Sequence, residues 1–309
     1  MQKISIIIPM FNESEHIQRT ITSAINAAVT AGLDYQIIAI DNNSTDNSRE
    51  LAEALGATVV FLPDLKIGGL RNAGAELATG NYLAFLDADI EVPSNWLISC
   101  LNQQKNFDVI AHDCDTPLQA PWFARAWQKR SMSKTGQNRV LDWLATPNLF
   151  LTRERFAVSG GFNALLSSGE DKEFGLRLHR QGAKQISLAE PIALHWGYEK
   201  SWTEWFKKEF WRQSSHLQLF QKKPSLRLLR FPILCIAVTL CTMVAALSML
   251  TGHFSSAGFF LLLSTVPAVV LAARQSNVLS NSTLTLKLSL LHWLRLHIGC
   301  AALLHSTFK

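Results

Sequence analysis

The stretch FLDADIEVP, residues 85–93, places two carboxylates, Asp87 and Asp89, directly after an apolar run from Tyr82 to Leu86. Carboxylates this close disfavour each other's ionisation, so the arrangement requires a compensating positive group. Mg²⁺ or Mn²⁺ suits this role because such cations take oxygen ligands from one or two carboxylates together with substrate phosphates. An isolated Asp-x-Asp is a weak motif, and its position at the end of a strand strengthens it.

Strands and helices alternate through the first 90 residues. Apolar runs predict strands over 4–8, 35–40, 57–62 and 81–86, and helices are predicted over 14–31, 44 to about 55, and 68–78. Near-continuous apolar strands joined by helices are typical of a parallel, doubly wound α/β sheet with helices on both faces. Ligands of such sheets bind beyond the carboxyl ends of the strands.

Polar clusters follow the first, second and fourth predicted strands. They are Asn12-Glu13, Asp41-Asn42-Asn43, and the pair Asp87 and Asp89. Ser44 or Asp46 is predicted to cap the helix that begins after the second cluster. The sequence therefore places the candidate site at one edge of the sheet.

The C-terminal third is apolar and basic. All 24 acidic residues lie at or before Glu209, although the net charge is +5. Two uncharged runs, 231–250 and 254–273, would each form a helix about 30 Å long, one hydrocarbon thickness. They predict a transmembrane hairpin, the alternative being a pair of buried core helices.

Two neighbouring segments are ambiguous. Residues 284–304 contain Lys287, His292, Arg295 and His297, so this helix would cross a membrane only if those groups were shielded. A helix lying at the membrane surface and a packed third helix remain equally open. Residues 201–230 mix aromatic and basic side chains and are predicted to form an amphipathic interfacial linker helix.

Basic residues flank the hairpin but are absent between its two runs. Lys222, Lys223, Arg227 and Arg230 precede the first run and Arg274 follows the second, which predicts that the flanks and the N-terminal domain are cytoplasmic. The N-terminus does not resemble a signal peptide. Since the basic groups lie beside membrane-length runs, a nucleic-acid partner is disfavoured. The five cysteines show no metal-binding spacing and are expected to be reduced.

Four blocks occur in the order of a known family. They are IIIPMFNE (6–13), DNNSTDNS (41–48), GGLRNAGAELATGNYLAFLDAD (68–89) and GEDKEFGLRL (169–178). With these blocks the chain resembles an inverting, membrane-anchored bacterial family 2 glycosyltransferase. The resemblance implies a Rossmann-like GT-A catalytic domain over 1–200, followed by the linker (201–230) and a membrane region (231–309).

The resemblance also implies roles for individual residues. Those matching the nucleotide-sugar site are Pro9, Phe11, Asn12, Glu13, Asp41, Arg71, Asn72, Asp87 and Ala88. Asp41 would bind the base, usually uracil, although it could instead cap a turn before Ser44. Arg71 would face the diphosphate, although it could instead be a surface helix residue.

The metal in this family would be Mg²⁺ or Mn²⁺, held by Asp89 with Asp87 beside it. His195 matches a third ligand found in some relatives, and the competing interpretation is a packed, hydrogen-bonded histidine. Glu170 and Asp171 match the catalytic acidic motif, with Asp171 as the general base. Both also suit the first turn of a helix, whose dipole is expected to lower the pKa of Asp171.

The sequence thus predicts a transferase at the cytoplasmic face of the inner membrane. It would move a sugar from a nucleotide-sugar, with UDP as the expected carrier, to a lipid-linked or surface-polysaccharide acceptor. Two alternatives remain: transfer directly to polyprenyl phosphate, and a non-catalytic nucleotide-binding membrane scaffold. The expected partners are the donor, the acceptor and membrane lipid.

Overall fold

The computed structural model of the chain describes residues 2–222, 226–276 and 281–307. The chain divides into two compact units. The first comprises residues 1–117 and 136–197, and the second comprises residues 118–135 and 198–309. The grouping of 118–135 with the C-terminal residues is a feature that the sequence did not indicate. The functional division at 200 and 230 stays a prediction.

The first unit is an α/β domain. Its strands are β1 (Lys3–Met10), β2 (Asp34–Asp41), β3 (Thr58–Phe61), β4 (Tyr82–Leu86), β5 (Ile90–Glu91), β6 (Val109–Asp115), β7 (Arg139–Val140), β8 (Asn148–Thr152) and β9 (Gln185–His195). Its helices are α1 (Ile17–Thr30), α2 (Ser48–Ala54), α3 (Ile67–Glu76), α4 (Trp96–Gln103), α6 (Arg153–Ser159) and α7 (Glu170–Arg180). The four strands and three helices predicted up to residue 90 are all present, with shifted ends.

The strands form one sheet in the order β3-β2-β1-β4-β8-β6-β9-β5, and β7 pairs with β9. Strands β1 to β4 pair in parallel, as predicted for the first 90 residues. Beyond β4 the sheet is mixed, because β8 runs antiparallel to both β4 and β6. The α/β fold class is therefore confirmed, and the parallel arrangement is confined to part of the sheet.

The first strand shows why the sheet is buried on both faces. Ile4, Ile6 and Ile8 pack into the core under α1 and α4, whereas Ile7 joins the core on the opposite face. Successive side chains of a strand point to opposite faces, so an unbroken isoleucine run fits only a sheet covered on both sides.

Helix α2 begins later than the sequence suggested. Its N-cap is Asn47, so the prediction of Ser44 or Asp46 as the cap is wrong. Those two side chains accept hydrogen bonds from another loop, as described below. Because these side chains bond to the other loop and do not cap the helix, residues 42–47 stay outside α2.

The second unit is helical. It consists of α5 (Trp122–Lys129), α8 (Trp202–Lys222), α9 (Leu226–Leu250), α10 (Phe254–Gln275) and α11 (Ser282–Thr307). Leu229–Leu250 and Phe254–Gln275 are long and apolar enough to cross a membrane, by length and composition. A turn at Thr251–His253 separates them, which makes a hairpin possible.

Helix α11 is a packed third helix, because Leu288, Leu291 and Leu296 are fully buried in this unit. Its polar groups have partners: Arg295 with Glu209, His292 with Gln275, and His297 with Thr239. Whether α11 also crosses a membrane stays a prediction. The cysteines at 100, 114, 235, 241 and 300 are free, as expected.

Candidate functional site

The direction of the chain reverses across the sheet between β1 and β4. From β1 the chain proceeds outward through β2 and β3, then returns to the other side of β1 as β4. Such a switch point leaves a crevice at the carboxyl ends of the two central strands. Residues 11–13 follow β1 and residues 87–89 follow β4, so the topology brings these two predicted clusters together.

Asp89 and His195 lie side by side because β5 pairs with β9. Ile90 is the register partner of His195, and the His195 Nε2 lies 3.1 Å from the Asp89 Oδ2. Their side chains keep 30% (His195) and 21% (Asp89) exposure, so both remain accessible. The two residues are 106 positions apart in the sequence, so only the tertiary structure brings them into contact.

The two residues after His195 both lie against Asp89. The Trp196 backbone N–H donates to the Asp89 carbonyl at 2.8 Å. A Cβ built on Gly197 would lie 1.9 Å from the Asp89 Oδ2, so this position has no space for any other residue while Asp89 stays in place. Gly197 was not predicted as a site residue. The absence of a side chain at Gly197 leaves room for the Asp89 carboxylate.

Arg71 connects the two acidic motifs. Its Nη2 donates to the Asp87 Oδ1 at 2.8 Å, and its Nη1 donates to the Glu170 Oε1 at 2.8 Å. The arginine side chain is 4% exposed, which excludes the interpretation of Arg71 as a surface residue. A buried guanidinium needs such partners, since an unpaired buried charge is strongly destabilising.

Opposing influences act on the pKa of Asp87, and their net effect is to raise it. Burial raises the pKa of Asp87, and the neighbouring Asp89 carboxylate raises it further, against the opposing pull of Arg71. Arg71 is therefore the positive group that offsets part of the carboxylate repulsion noted in the sequence. A cation at Asp89 would offset the remainder.

Asp171 follows Glu170 in the first turn of α7 and is partly buried. Burial and the Glu170 carboxylate raise the pKa of Asp171 to about 6, outweighing the hydrogen bond from the Lys172 N–H and the attraction of Arg71. The expectation that the helix dipole would lower this pKa is wrong. Asp171 lies in the first turn, where the dipole acts, but that effect is weak beside desolvation.

The loop after β1 is held by the loop after β2. The backbone N–H groups of Asn12 and Glu13 donate to the Ser44 and Ser48 hydroxyls at 2.9 and 2.7 Å, and that of Ser14 donates to Asp46 at 3.0 Å. These contacts explain the polar block at 41–48. Their effect is to fix residues 11–14, where Phe11 is 55% exposed and available for stacking.

Asn12 occupies left-handed backbone geometry, with φ at 56°. Asparagine tolerates this region better than most residues. Its side-chain oxygen accepts from the Thr45 N–H at 2.8 Å. The sequence prediction recognised Asn12 as a site residue, but in this structure its visible role is to shape the loop.

Asp41 is fully buried at the end of β2. Both of its carboxylate oxygens accept from the Ser44 N–H at 3.2 Å, and Arg49 lies 3.5 Å away. The turn-capping contact that the sequence left open is thus present. Base binding by Asp41 stays a prediction.

Two other predicted residues contribute backbone geometry. Pro9 is buried within β1. Ala88 is 3% exposed, and its carbonyl accepts from the Thr20 hydroxyl at 2.7 Å, which ties the Asp87–Asp89 turn to α1. Their contact with a nucleotide-sugar stays a prediction.

The side-chain amide of Asn72 forms hydrogen bonds with the backbone through both its nitrogen and its oxygen. Its Nδ2 donates to the Phe162 carbonyl and its Oδ1 accepts from the Phe162 N–H, each at 2.8 Å. Arg177 donates to the carbonyls of Ser159 and Gly161 in the same loop. The loop thereby holds Phe162 with its ring 5.4 Å from the Arg71 guanidinium carbon. Sequence reasoning missed Phe162 and Arg177, because their partners are distant in sequence.

Asp89 and His195 would supply two ligands to a divalent cation, if one bound here. They offer one oxygen and one nitrogen donor on adjacent strands, while an oxygen of Asp87 is occupied by Arg71. No group of three or more His, Cys, Asp or Glu suited to a metal occurs among the described residues. The other ligands would therefore come from phosphate oxygens and water, as is usual for Mg²⁺.

Sequence comparison identifies relatives over the first half of the chain. The sequence model of glycosyl transferase family 2 matches residues 5–154. The uncharacterized glycosyltransferase YibD of Escherichia coli K12 is 32% identical over 154 residues, 46% of this chain and 43% of that protein. The poly(ribitol-phosphate) beta-N-acetylglucosaminyltransferase TarP of Staphylococcus aureus is 36% identical over 95 residues, 29% of each protein. The chain thus spans less than half the length of either relative.

Structural comparison indicates the same fold. The crystal structure of S. aureus TarS 1-349 superposes with a TM-score of 0.52 at 16% identity, covering 70% of this chain and 66% of the TarS 1-349 chain. TarS 1-349 has also been solved with UDP-GlcNAc and with UDP. The family match includes Arg71, Asp87 and Asp89, whereas Glu170, Asp171 and His195 lie beyond it.

Proposed function

Because residues 5–154 match the sequence model of glycosyl transferase family 2, we propose that this chain is an inverting glycosyltransferase of that family. The donor is a nucleotide-sugar, with UDP as the carrier. The acceptor is lipid-linked or a growing surface polysaccharide, and transfer takes place at the cytoplasmic face of the inner membrane. The solved complexes of TarS with UDP and UDP-GlcNAc support the choice of carrier.

The observation that carries the proposal is the pairing of two acidic motifs through one buried arginine. Arg71 holds Asp87 beside Asp89 on one side and Glu170 beside Asp171 on the other. One motif supplies the groups for a metal–diphosphate, and the other supplies a carboxylate suited to proton transfer. A non-catalytic scaffold would need only the first of these.

Asp171 is the proposed general base. With a pKa of about 6 it is mostly ionised at neutral pH yet basic enough to take a proton from an acceptor hydroxyl. The hydroxyl oxygen attacks the anomeric carbon, and the bond from that carbon to the diphosphate oxygen breaks. A single displacement of this kind inverts the anomeric configuration.

Asp89 and His195 would hold Mg²⁺ or Mn²⁺. When bound, such an ion neutralises charge on the departing diphosphate, a contribution of several kcal/mol in general. Arg71 is placed to act in the same direction, since a diphosphate can replace a carboxylate as a partner of a guanidinium. Asp87 remains next to Arg71 to contact the ribose or sugar.

The exposed surfaces of α9 and α10 support membrane anchoring. Only 17% and 22% of their most apolar windows are buried. Leu247 and Phe254, for example, are 62% and 71% exposed. Core helices of a soluble protein bury such side chains, because each exposed one forfeits roughly 1.5–3 kcal/mol.

The test is release of nucleoside diphosphate by detergent-solubilised protein offered a panel of nucleotide-sugars, with and without chelator. We expect release that depends on Mn²⁺ or Mg²⁺ and is lost in Asp89→Ala without unfolding. Wild-type turnover in that variant would contradict the site assignment. Metal-assisted UDP binding without any turnover would identify the scaffold alternative.

Transfer to polyprenyl phosphate itself is the remaining alternative. Its nucleophile is already an anion and needs little help from a base. Asp171→Asn should then be mild, whereas a hydroxyl acceptor makes the same change severe.

A further inference from the structure

The helical unit contains a cluster of charged side chains with more cations than anions. Glu209, 1% exposed, accepts from the Arg295 Nε at 3.0 Å and from the Arg212 Nη1 at 3.2 Å. Glu199, 8% exposed, pairs with Arg212 at 3.2 Å and with Lys208 at 3.7 Å. Gln213 also donates to Glu209. Both carboxylates are therefore fully engaged.

Arg130, at the end of α5, adds a further positive charge to this cluster. Its Nη1 donates to the Trp127 carbonyl, and its guanidinium carbon lies 4.1 Å from the centre of the Trp127 ring. The Arg295 guanidinium carbon lies 5.9 Å from the centre of the same ring, so the two cations share one tryptophan. In the part of the chain that the structure describes, no carboxylate forms an ion pair with it. Burial and repulsion from Arg212 and Arg295 lower the pKa of Arg130 to about 9, against attraction by Glu209 and Glu199. The guanidinium stays charged at neutral pH, and a bound anion would relieve this repulsion.

The cluster is open to the surface. The side chains of Arg212 and Arg295 keep 34% and 21% exposure, so a ligand can reach them. Planar guanidinium groups bind phosphate oxygens in pairs, which makes phosphate the anion that such a cluster fits best.

The same unit has the features of a membrane surface. Trp122 and Trp202 are 39% and 36% exposed, with ring centres 5.7 Å apart. Tryptophans in such partly exposed positions are typical of the boundary between lipid and water. The unit also contains the two apolar helices α9 and α10, so the phosphate best suited to this position is one attached to a lipid.

We propose that Arg130, Arg212 and Arg295 bind the phosphate group of a lipid. The inference rests on the proposed membrane function. The lipid is either the acceptor or a phospholipid of the bilayer, two sources that share the recognised chemistry.

The test measures binding to the full-length protein in non-ionic detergent, using tryptophan fluorescence because Trp127 lies under Arg130. The probes are undecaprenyl phosphate, undecaprenol, phosphatidylglycerol and inorganic phosphate. We expect either phosphate-bearing lipid to bind more tightly than undecaprenol and inorganic phosphate. Binding of undecaprenyl phosphate alone identifies an acceptor site, and binding of both lipids identifies a bilayer contact.

Arg130→Gln should weaken this binding about tenfold or more, the usual loss when a charged hydrogen-bond donor is removed. Arg130→Lys should weaken it less. The matched control is Arg125→Gln, which removes the same charge from the same helix. Equal losses in Arg130→Gln and Arg125→Gln, or equal binding of undecaprenol, would overturn the proposal.

Thermal unfolding separates this role from a structural one. Lipid should raise the unfolding temperature of the wild type more than that of Arg130→Gln at the same lipid concentration. A fall in unfolding temperature without any change in lipid affinity would assign Arg130 to packing alone and overturn the proposal. Metal-assisted UDP binding, measured separately, would persist if only this inference failed.

Discussion

At the scale of single residues, Arg71 determines the character of the site. It is buried, and its two carboxylate partners, Asp87 and Glu170, lie 83 positions apart in the sequence. Removing either partner would leave the buried guanidinium with a single carboxylate to compensate its charge. Arg71 therefore links the position of Asp87 and its neighbour Asp89 to that of Glu170 and its neighbour Asp171.

The raised pKa of Asp171 predicts a pH dependence of transfer. A carboxyl with a pKa of about 6 is ionised above that pH and protonated below it. Transfer to a hydroxyl acceptor should therefore fall about tenfold per unit as the pH drops below 6. A pH series of single-turnover rates measures this, with UDP affinity recorded at each pH as the control.

Asp171→Asn should lower the rate by roughly 10²- to 10⁴-fold, the usual contribution of a general base. It should also abolish the decline below pH 6. A wild-type rate that stays constant from about pH 5 to 8 would exclude Asp171 as the base.

Gly197→Ala is predicted to displace the Asp89 carboxylate, because the new Cβ would lie 1.9 Å from Oδ2. Metal-assisted UDP binding should be lost, while the unfolding temperature changes little. Isothermal titration calorimetry with Mn²⁺ and UDP measures the effect. Gly258→Ala is the matched control, since an added Cβ there meets nothing within 4 Å. Unchanged UDP binding in Gly197→Ala would show that the Asp89 position is unimportant.

At the scale of elements, the site depends on loops that hold one another. The loop after β2 supplies the hydroxyls of Ser44 and Ser48 and the carboxylate of Asp46, and all three accept backbone N–H groups from the loop after β1. The strands provide the ends from which both loops start, and the contacts between the loops fix their shape. Loops fixed in this way bind a ligand with a smaller entropy cost.

Ser48→Ala removes the acceptor of the Glu13 N–H. We expect a loss of about 1 kcal/mol in stability and a rise in the KM for the donor with little change in kcat. Thr30→Ala, which removes a hydroxyl hydrogen bond at the end of α1, is the control. Steady-state kinetics with both variants measures the difference, and equal KM values would show that this loop does not contribute to donor binding.

At the scale of the whole molecule, the two units differ in the surface that they present. The α/β unit buries most of its isoleucines, whereas α9 and α10 expose leucines, valines and phenylalanines along much of their length. That contrast supports the proposal that α9 and α10 contact lipid.

The proposed orientation predicts which residues face the cell exterior. In a variant whose native cysteines have been replaced, Gly252→Cys should react with a membrane-impermeant maleimide in intact spheroplasts. Asp64→Cys, in the α/β unit, should react only after permeabilisation. The reverse pattern would place the α/β unit outside, and reaction of both variants in intact spheroplasts would contradict a membrane crossing by α9 and α10.

The sequence by itself determined the α/β class, the strands and helices up to residue 90, the resemblance to glycosyl transferase family 2 over residues 5–154 and the two apolar helices. These properties follow from local hydrophobic periodicity and from motifs of adjacent residues, which are readable along the chain. The tertiary structure alone decided the bridge from Arg71 to Glu170, the contact of His195 with Asp89, and the raised pKa of Asp171. Each of these depends on segments far apart in sequence, and burial and electrostatic coupling arise only when the fold brings them together.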